Sequence, residues 1–218
     1  MINWQEIETV LLDMDGTLLD LRFDNHFWQE VVPLKFAEKE GWSVEQAKAH
    51  LVPHFKSKEG TLDWYCLDYW SATLALDIIG LKTELADMIA VLPHVNDFLT
   101  KLKASGKQVL LVTNAHRGSL DLKMAKTDLH IFFEDLISSH DFGVPKEHHH
   151  FWQYLQDQLG FAKSSTLLID DSLAVLRSAH QFGIKHLVSI SKPDSGRPKR
   201  KIDDFPAIED FRELMKGL

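Results

Sequence analysis

Several short apolar runs in the sequence end directly at a polar residue that can take part in catalysis. Three such pairs are residues 9–12 before Asp13, residues 108–112 before Thr113, and residues 166–169 before Asp170. Continuous apolar runs of this length are typical of strands that are buried on both faces of a parallel sheet. Ligands bind at the carboxyl ends of the strands in such a sheet, so we expect these polar residues to meet at one edge.

The pattern around these runs predicts an α/β fold with a Rossmann-like parallel sheet of about five strands. Weaker runs at residues 136–138 and 186–190 supply the other two candidate strands. Between the strands lie amphipathic stretches that end at glycine, a common helix terminator; they cover residues 94–104, 147–159 and 172–182. Helix and strand alternate from residue 94 onward, which favours a sheet covered by helices.

The region from about residue 20 to residue 92 breaks this alternation. It is rich in helix-forming and aromatic residues and contains no convincing strand. We therefore predict a helical cap domain at residues 19–92, inserted after the first strand. Residues 1–18 and 93–218 would then form the catalytic core.

The composition argues against several classes of protein. The chain has 218 residues and a formal net charge of −8, which argues against a nucleic-acid-binding surface. It has no apolar run of about 20 residues to cross a membrane and no signal-peptide pattern after Met1, so we expect a cytoplasmic protein. The single cysteine, Cys66, has no histidine at a useful spacing, and we interpret it as a buried structural thiol. The oligomeric state stays open.

Two groups of carboxylates point to a metal. Asp13 and Asp15 stand two positions apart at a strand exit, followed by Gly16, which permits a tight turn and close approach to a ligand. Asp170 and Asp171 form the second pair. Such an oxygen-rich site suits Mg²⁺, which binds few carboxylates together with water and a substrate phosphate. An acidic chain that handles an anionic substrate also needs this kind of local positive charge.

The same residues carry a family resemblance. The sequence resembles the four motifs of the haloacid dehalogenase superfamily, in order, in residues 11–18, in Thr113 with Asn114, in Lys146, and in residues 169–172. This resemblance covers nearly the whole chain. It implies the fold described above and a phosphatase activity with Mg²⁺ as cofactor.

The resemblance also implies catalytic roles. Asp13 would attack phosphorus and form an aspartyl-phosphate. Asp15 would protonate the leaving alcohol and then deprotonate the attacking water. Thr113 and the backbone of Asn114 would bind the phosphoryl oxygens, and Lys146 would neutralise the nucleophile and the phosphate.

The metal ligands follow from the same resemblance. Mg²⁺ would be held by the Asp13 carboxylate, the Asp15 backbone carbonyl and one carboxylate of the fourth motif. We prefer Asp171 as the direct ligand and Asp170 as a ligand through water, although the sequence leaves both open.

Part of the predicted cap looks similar to that of bacterial GMP/IMP nucleotidases. The similar stretches are residues 20–28 and 62–70 in the cap, and residues 113–116, 181–184 and 193–196 in the core show a further similarity. This resemblance implies that the substrate is a small phosphorylated metabolite, a purine 5′-monophosphate. Arg22, Asn25 and Trp28 are candidate substrate contacts, since an indole can stack on a purine and an amide can bind a base or ribose edge.

Other functions remain open at this point. A phosphatase or phosphomutase acting on sugar phosphates or other small metabolites would use the same core residues. A dehalogenase would have no use for Asp15 as an acid. In a phospho-accepting receiver domain the acidic pair comes first, whereas here Asp170 follows Lys146. A catalytically silent phosphate-binding or regulatory protein is the alternative outside the enzymes.

Overall fold

A six-stranded parallel sheet forms the centre of the structure, a computed structural model that describes residues 2–218. Its strands run in the order β3-β2-β1-β4-β5-β6, and every pairing is parallel. The strands are β1 (Thr9–Leu12), β2 (Gln108–Thr113), β3 (Asp135–Ser138), β4 (Thr166–Asp170), β5 (His186–Ile190) and β6 (Ala207–Ile208). The predicted α/β fold with a parallel sheet is confirmed.

Strand β1 lies between β2 and β4, and its residues are buried on both faces. Leu12 is in register with Leu111 of β2 and with Ile169 of β4. The chain positions that follow these residues therefore leave the sheet at the same edge. This register explains why polar residues from distant parts of the sequence come together.

Helices cover both faces of the sheet because alternate strand residues point to opposite sides. Leu12 belongs to one apolar cluster, together with residues of α7 (Val95–Ala104) and α8 (Arg117–Thr127). Leu11 belongs to the other cluster, together with residues of α9 (His149–Leu159) and α10 (Leu173–Phe182). Each fully buried leucine contributes about 1.5–3 kcal/mol to folding.

Six α-helices lie between β1 and α7 and form what we call the helical segment, residues 22–88. They are α1 (Arg22–His26), α2 (Val32–Glu40), α3 (Val44–Lys58), α4 (Leu62–Tyr65), α5 (Leu67–Leu74) and α6 (Ile78–Glu84), with a π-helical turn at Phe27–Val31. Their buried aromatic residues belong to a third apolar cluster. Within residues 2–218, no helix is long and apolar enough to cross a membrane.

Two short, adjacent stretches connect the helical segment to the sheet. Leu19 pairs with Val91 in an antiparallel bridge, and the backbone N–H of Asp20 donates to the carbonyl of Ala90 at 2.9 Å. The chain thus leaves and rejoins the core at nearly the same place. This arrangement is typical of a hinge.

Two elements were not predicted from the sequence. Helix α8 contains the buried polar residues Ser119 and Lys123 on its inner side, so its apolar periodicity is weak. Strand β6 has only two residues and gives no pattern. The prediction of about five strands was one too few.

Candidate active site

Lys146 links two of the carboxylates at the carboxyl edge of the sheet. Its Nζ donates to Asp13 Oδ1 at 2.7 Å, to Asp170 Oδ2 at 2.7 Å and to the carbonyl of Val112 at 2.8 Å. These three acceptors use all three protons of the ammonium group. Burial opposes the charge on Lys146, but the two carboxylates outweigh it and raise the pKa of the lysine above its ordinary value. The contact leaves the second oxygen of Asp13 free to react.

The acidic residues beside Lys146 form a cluster of candidate metal ligands. One carboxylate oxygen from each of Asp13, Asp170 and Asp171 lies within 4.8 Å of the others. Burial, followed by repulsion from Asp13 and Asp170, raises the pKa of Asp171 well above its ordinary value. Burial together with Asp13 also raises the pKa of Asp170, to about 7, against the opposing charge of Lys146. Three crowded carboxylates with one lysine fit a divalent cation of the oxygen-preferring type.

The two carboxylates of the fourth motif differ in what they already bind. Asp170 accepts from Lys146 through Oδ2 and from the backbone N–H of Ser172 through Oδ1, at 2.9 Å. Within residues 2–218, the Asp171 carboxylate has one ion-pair partner, the guanidinium of Arg200 at 3.5 Å from Oδ2. Asp171 therefore has more free ligand capacity than Asp170.

Asp15 lies at the border between the sheet and the helical segment. Its Oδ1 accepts from Nζ of Lys123 on α8 at 2.6 Å. Burial raises the pKa of Asp15 to about 6, and Lys123 limits the rise. A carboxyl group with this pKa holds a proton in an appreciable fraction of molecules near neutral pH, as a general acid must.

A buried ion network continues from Asp15 into the helical segment. Nζ of Lys123 also donates to Oδ2 of Asp24 on α1 at 2.6 Å, and Nζ of Lys82 on α6 donates to Oδ1 of Asp24 at 2.6 Å. Burial opposes ionisation of Asp24, but the two ammonium groups hold its pKa below the ordinary value. The network couples the position of the helical segment to Asp15.

The turn after Asp15 requires a glycine. Gly16 has φ +82°, and a Cβ atom there would lie 2.8 Å from Cγ of Asp171 and 3.1 Å from Cβ of Pro193. Beside it, the hydroxyl of the fully buried Thr17 accepts from the backbone N–H of Asp171 at 3.1 Å. The first and fourth motifs are thus packed directly against each other.

Thr113 is the last residue of β2 and Asn114 follows it, at the same edge of the sheet. The hydroxyl oxygen of Thr113 accepts from the backbone N–H of Ala115 at 3.0 Å, which leaves its proton available for a ligand. The Asn114 side chain makes hydrogen bonds within the protein. Its Oδ1 accepts from the backbone N–H of Lys146, and its Nδ2 donates to Oε2 of Glu147, both at 2.9 Å. Both polar atoms of the Asn114 side chain are thus engaged within the protein, which favours its backbone as the group that faces a ligand.

Glu147 also joins this edge to the helical segment. Its Oε1 accepts from the hydroxyl of Tyr65, at the end of α4, at 2.6 Å. Burial, and then the charge of Glu147, raise the pKa of Tyr65 well above its ordinary value. The hydroxyl therefore keeps its proton and acts as a donor.

A cavity of about 320 Å³ lies between the helical segment and the sheet edge and reaches Asp15. Its walls are largely aromatic and include Trp28, Phe55, Trp64 and Trp70. Trp28 packs edge-to-face on Phe55 and Trp70, with ring centres 5.7 and 6.0 Å apart. A wider groove of about 970 Å³ borders the start of β5, the opposite edge of the sheet from Asp13. The smaller cavity, and not this groove, reaches Asp15.

The three candidate contacts of the helical segment take different positions. Trp28 and Asn25 line the cavity, although Nδ2 of Asn25 donates to Oδ2 of Asp194 at 2.6 Å. Arg22 lies outside the cavity lining, in a shallow outer depression beside Gly196. Substrate contact by these three residues stays a prediction.

Residues 7–183 match the family of haloacid dehalogenase-like hydrolases. The chain belongs to this family. Its motifs and its sheet order agree with that membership, and the prediction from the sequence is confirmed.

Two further comparisons agree. The chain is 43% identical to the GMP/IMP nucleotidase YrfG of Escherichia coli (strain K12) over 217 residues, 100% of this chain and 98% of that protein. The prediction of an enzyme, a 5′-nucleotidase-like hydrolase, is thereby confirmed. The fold matches a phosphatase of the same family from Thermococcus onnurineus with a TM-score of 0.80 and 23% identity, covering 96% of this chain and 97% of that one. It also matches the magnesium-bound putative hydrolase YfnB of Bacillus subtilis, with a TM-score of 0.68 and 21% identity, at coverages of 96% and 97%.

Sequence reasoning missed several residues at this edge. Lys123, Asp24 and Lys82 escaped because buried ion pairs leave no periodic signal, although a lysine on the apolar side of a helix was a usable hint. The interpretation of Cys66 as a buried thiol was wrong, because its side chain is partly exposed. The sequence analysis also considered only histidines near Cys66 along the chain, whereas His116 and His140 approach it in space.

Proposed function

We propose that this chain is a Mg²⁺-dependent phosphohydrolase that cleaves purine 5′-monophosphates, GMP and IMP, through an aspartyl-phosphate on Asp13. The observation that carries the proposal is the aromatic cavity that opens on Asp15 next to Asp13 and Lys146, in a chain 43% identical to a GMP/IMP nucleotidase. The phosphate would lie at the carboxylates, and the purine would lie between the aromatic side chains.

The first half of the reaction uses Asp13 and Asp15. Lys146 holds Oδ1 of Asp13, so Oδ2 is the oxygen that attacks phosphorus. A bond forms between this oxygen and phosphorus while the bond to the nucleoside 5′-oxygen breaks. Asp15 gives its proton to that leaving oxygen, which its raised pKa of about 6 permits. Thr113 donates its free hydroxyl proton to a phosphoryl oxygen.

The second half regenerates the enzyme. Asp15, now ionised, accepts a proton from a water molecule that attacks the aspartyl-phosphate. The bond between phosphorus and Asp13 breaks, and inorganic phosphate leaves. Lys146 offsets the negative charge on Asp13 throughout both steps.

The metal would be held by Asp13, Asp171 and the backbone carbonyl of Asp15. The nearly unpartnered carboxylate of Asp171 favours it as the direct ligand, with Asp170 acting through water. When bound, Mg²⁺ supplies charge neutralisation to the carboxylates and the substrate phosphate.

We propose that residues 19–92 act as a cap over a core made of residues 1–18 and 93–218. The contacts that hold the cap closed include Tyr65 to Glu147 and Asp24 to Lys123. Closure excludes water from the aspartyl-phosphate, and opening releases the nucleoside. Because free nucleoside monophosphates are intracellular metabolites, we place the reaction in the cytoplasm.

The test is phosphate release from a panel of phosphorylated metabolites with Mg²⁺. We expect GMP and IMP to be the best substrates, with activity absent in Asp13→Asn and after chelation. Asp157→Asn, on the exposed side of α9, is the matched control and keeps full activity. Release only from sugar phosphates would overturn the nucleotide assignment, and normal activity of Asp13→Asn would overturn the mechanism.

A further inference from the structure

A second cluster of metal-binding side chains lies beside the cavity, apart from the acidic residues. It consists of Cys66, between α4 and α5, His116, directly before α8, and His140, after β3. One ligand atom from each of the three lies within 4.8 Å of the others. The cluster therefore joins the helical segment to the sheet.

His140 is oriented as a metal ligand. Its Nε2 is buried and has no hydrogen-bond partner within residues 2–218. The neutral tautomer with its proton on Nδ1 leaves a lone pair on Nε2, the usual arrangement of a metal-binding histidine. Burial lowers the pKa of His140 to about 4, so the ring is neutral at physiological pH.

The other two side chains offer sulfur and nitrogen. Sγ of Cys66 accepts from the backbone N–H of Tyr69 at 3.4 Å, at the start of α5. His116 accepts the Gly118 N–H through Nδ1 at 3.3 Å, and its Nε2 lies 3.5 Å from Oδ2 of Asp68. His116 would give up one of these two weak contacts on binding. Asp68 or water can supply a fourth ligand.

We propose that Cys66, His116 and His140 form a binding site for a thiophilic divalent metal, Zn²⁺, that ties the helical segment to the sheet. One thiolate and two imidazoles are a zinc-type ligand set, whereas Mg²⁺ prefers oxygen. Tetrahedral Zn²⁺ brings such atoms to about 3.3–3.7 Å from one another, so the side chains close by ~1 Å. Binding releases the thiol proton of Cys66 to solvent, and no electrons are transferred.

The decisive test is titration of the metal-free protein with Co²⁺ in excess Mg²⁺. We expect one equivalent of Co²⁺ to give the near-ultraviolet absorption of a cobalt–thiolate bond, and Zn²⁺ to remove it. The band should vanish in Cys66→Ser, and Co²⁺ affinity should fall at least tenfold in His140→Ala and His116→Asn. His150→Ala, which changes an exposed histidine, is the matched control and keeps the wild-type affinity. Absence of the band in the wild type, or wild-type affinity in both cluster histidine variants, would overturn the proposal.

A second measurement tests the bridging role and rests on the proposed function. If opening of the helical segment is needed for turnover, Zn²⁺ should inhibit phosphate release in excess Mg²⁺, and His140→Ala should need at least tenfold more Zn²⁺ for the same inhibition. Equal inhibition of both proteins would overturn the bridging role. The cobalt titration gives its answer without turnover, so failure of the proposed function and failure of the metal site are distinguishable.

Discussion

Nζ of Lys123 lies 2.6 Å from Oδ1 of Asp15 and 2.6 Å from Oδ2 of Asp24. The first carboxylate belongs to the catalytic edge and the second to the helical segment. The lysine is 1% exposed, so water does not screen these contacts. Lys123 is therefore a positioning residue that joins the proposed general acid to the proposed cap.

Replacing Lys123 by Met should change the pH dependence of the reaction. The ammonium favours the ionised form of Asp15, so its loss raises the pKa of Asp15 above about 6. The free enzyme needs protonated Asp15, and kcat/KM falls as pH rises through this pKa. We expect this limb of the profile to move to higher pH by roughly 1 unit. We also expect kcat/KM at its optimum to fall by about tenfold or more.

Lys126→Met is the control for this experiment. Lys126 lies on the same helix and pairs with Asp87 on the surface, where the two side chains are 40% and 97% exposed. Its removal should leave the pH profile and the activity unchanged. Lys123→Met should also lower the free energy of unfolding by about 3–5 kcal/mol, so both profiles are recorded well below the unfolding midpoint. A wild-type pH profile in a folded Lys123→Met protein would contradict the positioning role.

Asp171→Asn should weaken Mg²⁺ binding and stabilise the metal-free protein. The raised pKa of Asp171 means that the folded state binds a proton more tightly than the unfolded state does, so stability falls as pH rises above about 4. Asparagine removes this loss, and the metal-free variant should unfold at a higher temperature at pH 7. The Mg²⁺ concentration that gives half-maximal phosphate release should be about tenfold higher or more than in the wild type.

Asp170→Asn is the matched comparison, because this residue bonds Lys146 at 2.7 Å. Its replacement leaves a buried ammonium with one carboxylate fewer, which offsets the gain from removing a carboxyl of raised pKa, so thermal stability should lie below that of Asp171→Asn. Thermal unfolding without metal and Mg²⁺ titration of phosphate release measure both variants. Equal shifts of stability in the two variants would contradict the different roles of the carboxylates.

Trp28→Leu should affect nucleotide substrates more than other phosphates. If the indole stacks on the purine, its loss removes about 1–3 kcal/mol of binding and raises KM for GMP roughly 5- to 150-fold. The KM for ribose 5-phosphate, which lacks a base, should hardly change. Trp42→Leu, a 41% exposed tryptophan on the same segment, serves as the control. A parallel rise of KM for both substrates would remove Trp28 from the base site.

Tyr65→Phe should weaken the closure of the helical segment. It removes one hydrogen bond of 2.6 Å to Glu147, and a bond to a charged group contributes about 1.5–3 kcal/mol. We expect kcat/KM for GMP to fall by about tenfold, measured by phosphate release. Tyr154→Phe, at a 45% exposed position, should behave as wild type. Unchanged kinetics of Tyr65→Phe would show that this contact does not hold the segment closed.

The carboxyl edge of the sheet was predictable because apolar strands dictate it. Asp13 and Asp170 follow apolar runs that are typical of buried strands, and parallel register then brings their chain positions together. The helical nature of residues 22–88 was predictable for a related reason, since they are rich in helix formers and lack alternating patterns. These inferences use local patterns and general rules of topology.

Contacts between side chains of distant segments were not predictable. The pairing of Asp24 with Lys123 depends on how α1 lies against α8, and no local pattern encodes that packing. The outer position of Arg22 and the approach of Cys66 to two histidines depend on the same geometry. A helix places its neighbours three and four residues apart, but its orientation on a sheet follows from the whole fold.

The central place of β1 has a consequence for the order in which the protein can be made. Its two neighbours in the sheet are residues 108–113 and 166–170. The strand that leads into Asp13 therefore has no partner while the ribosome adds the whole helical segment. Until β4 is synthesised, one side of this apolar strand remains an open edge that can pair with another nascent chain. Chains halted before residue 166 should therefore aggregate, whereas chains extended past β4 should become soluble during synthesis.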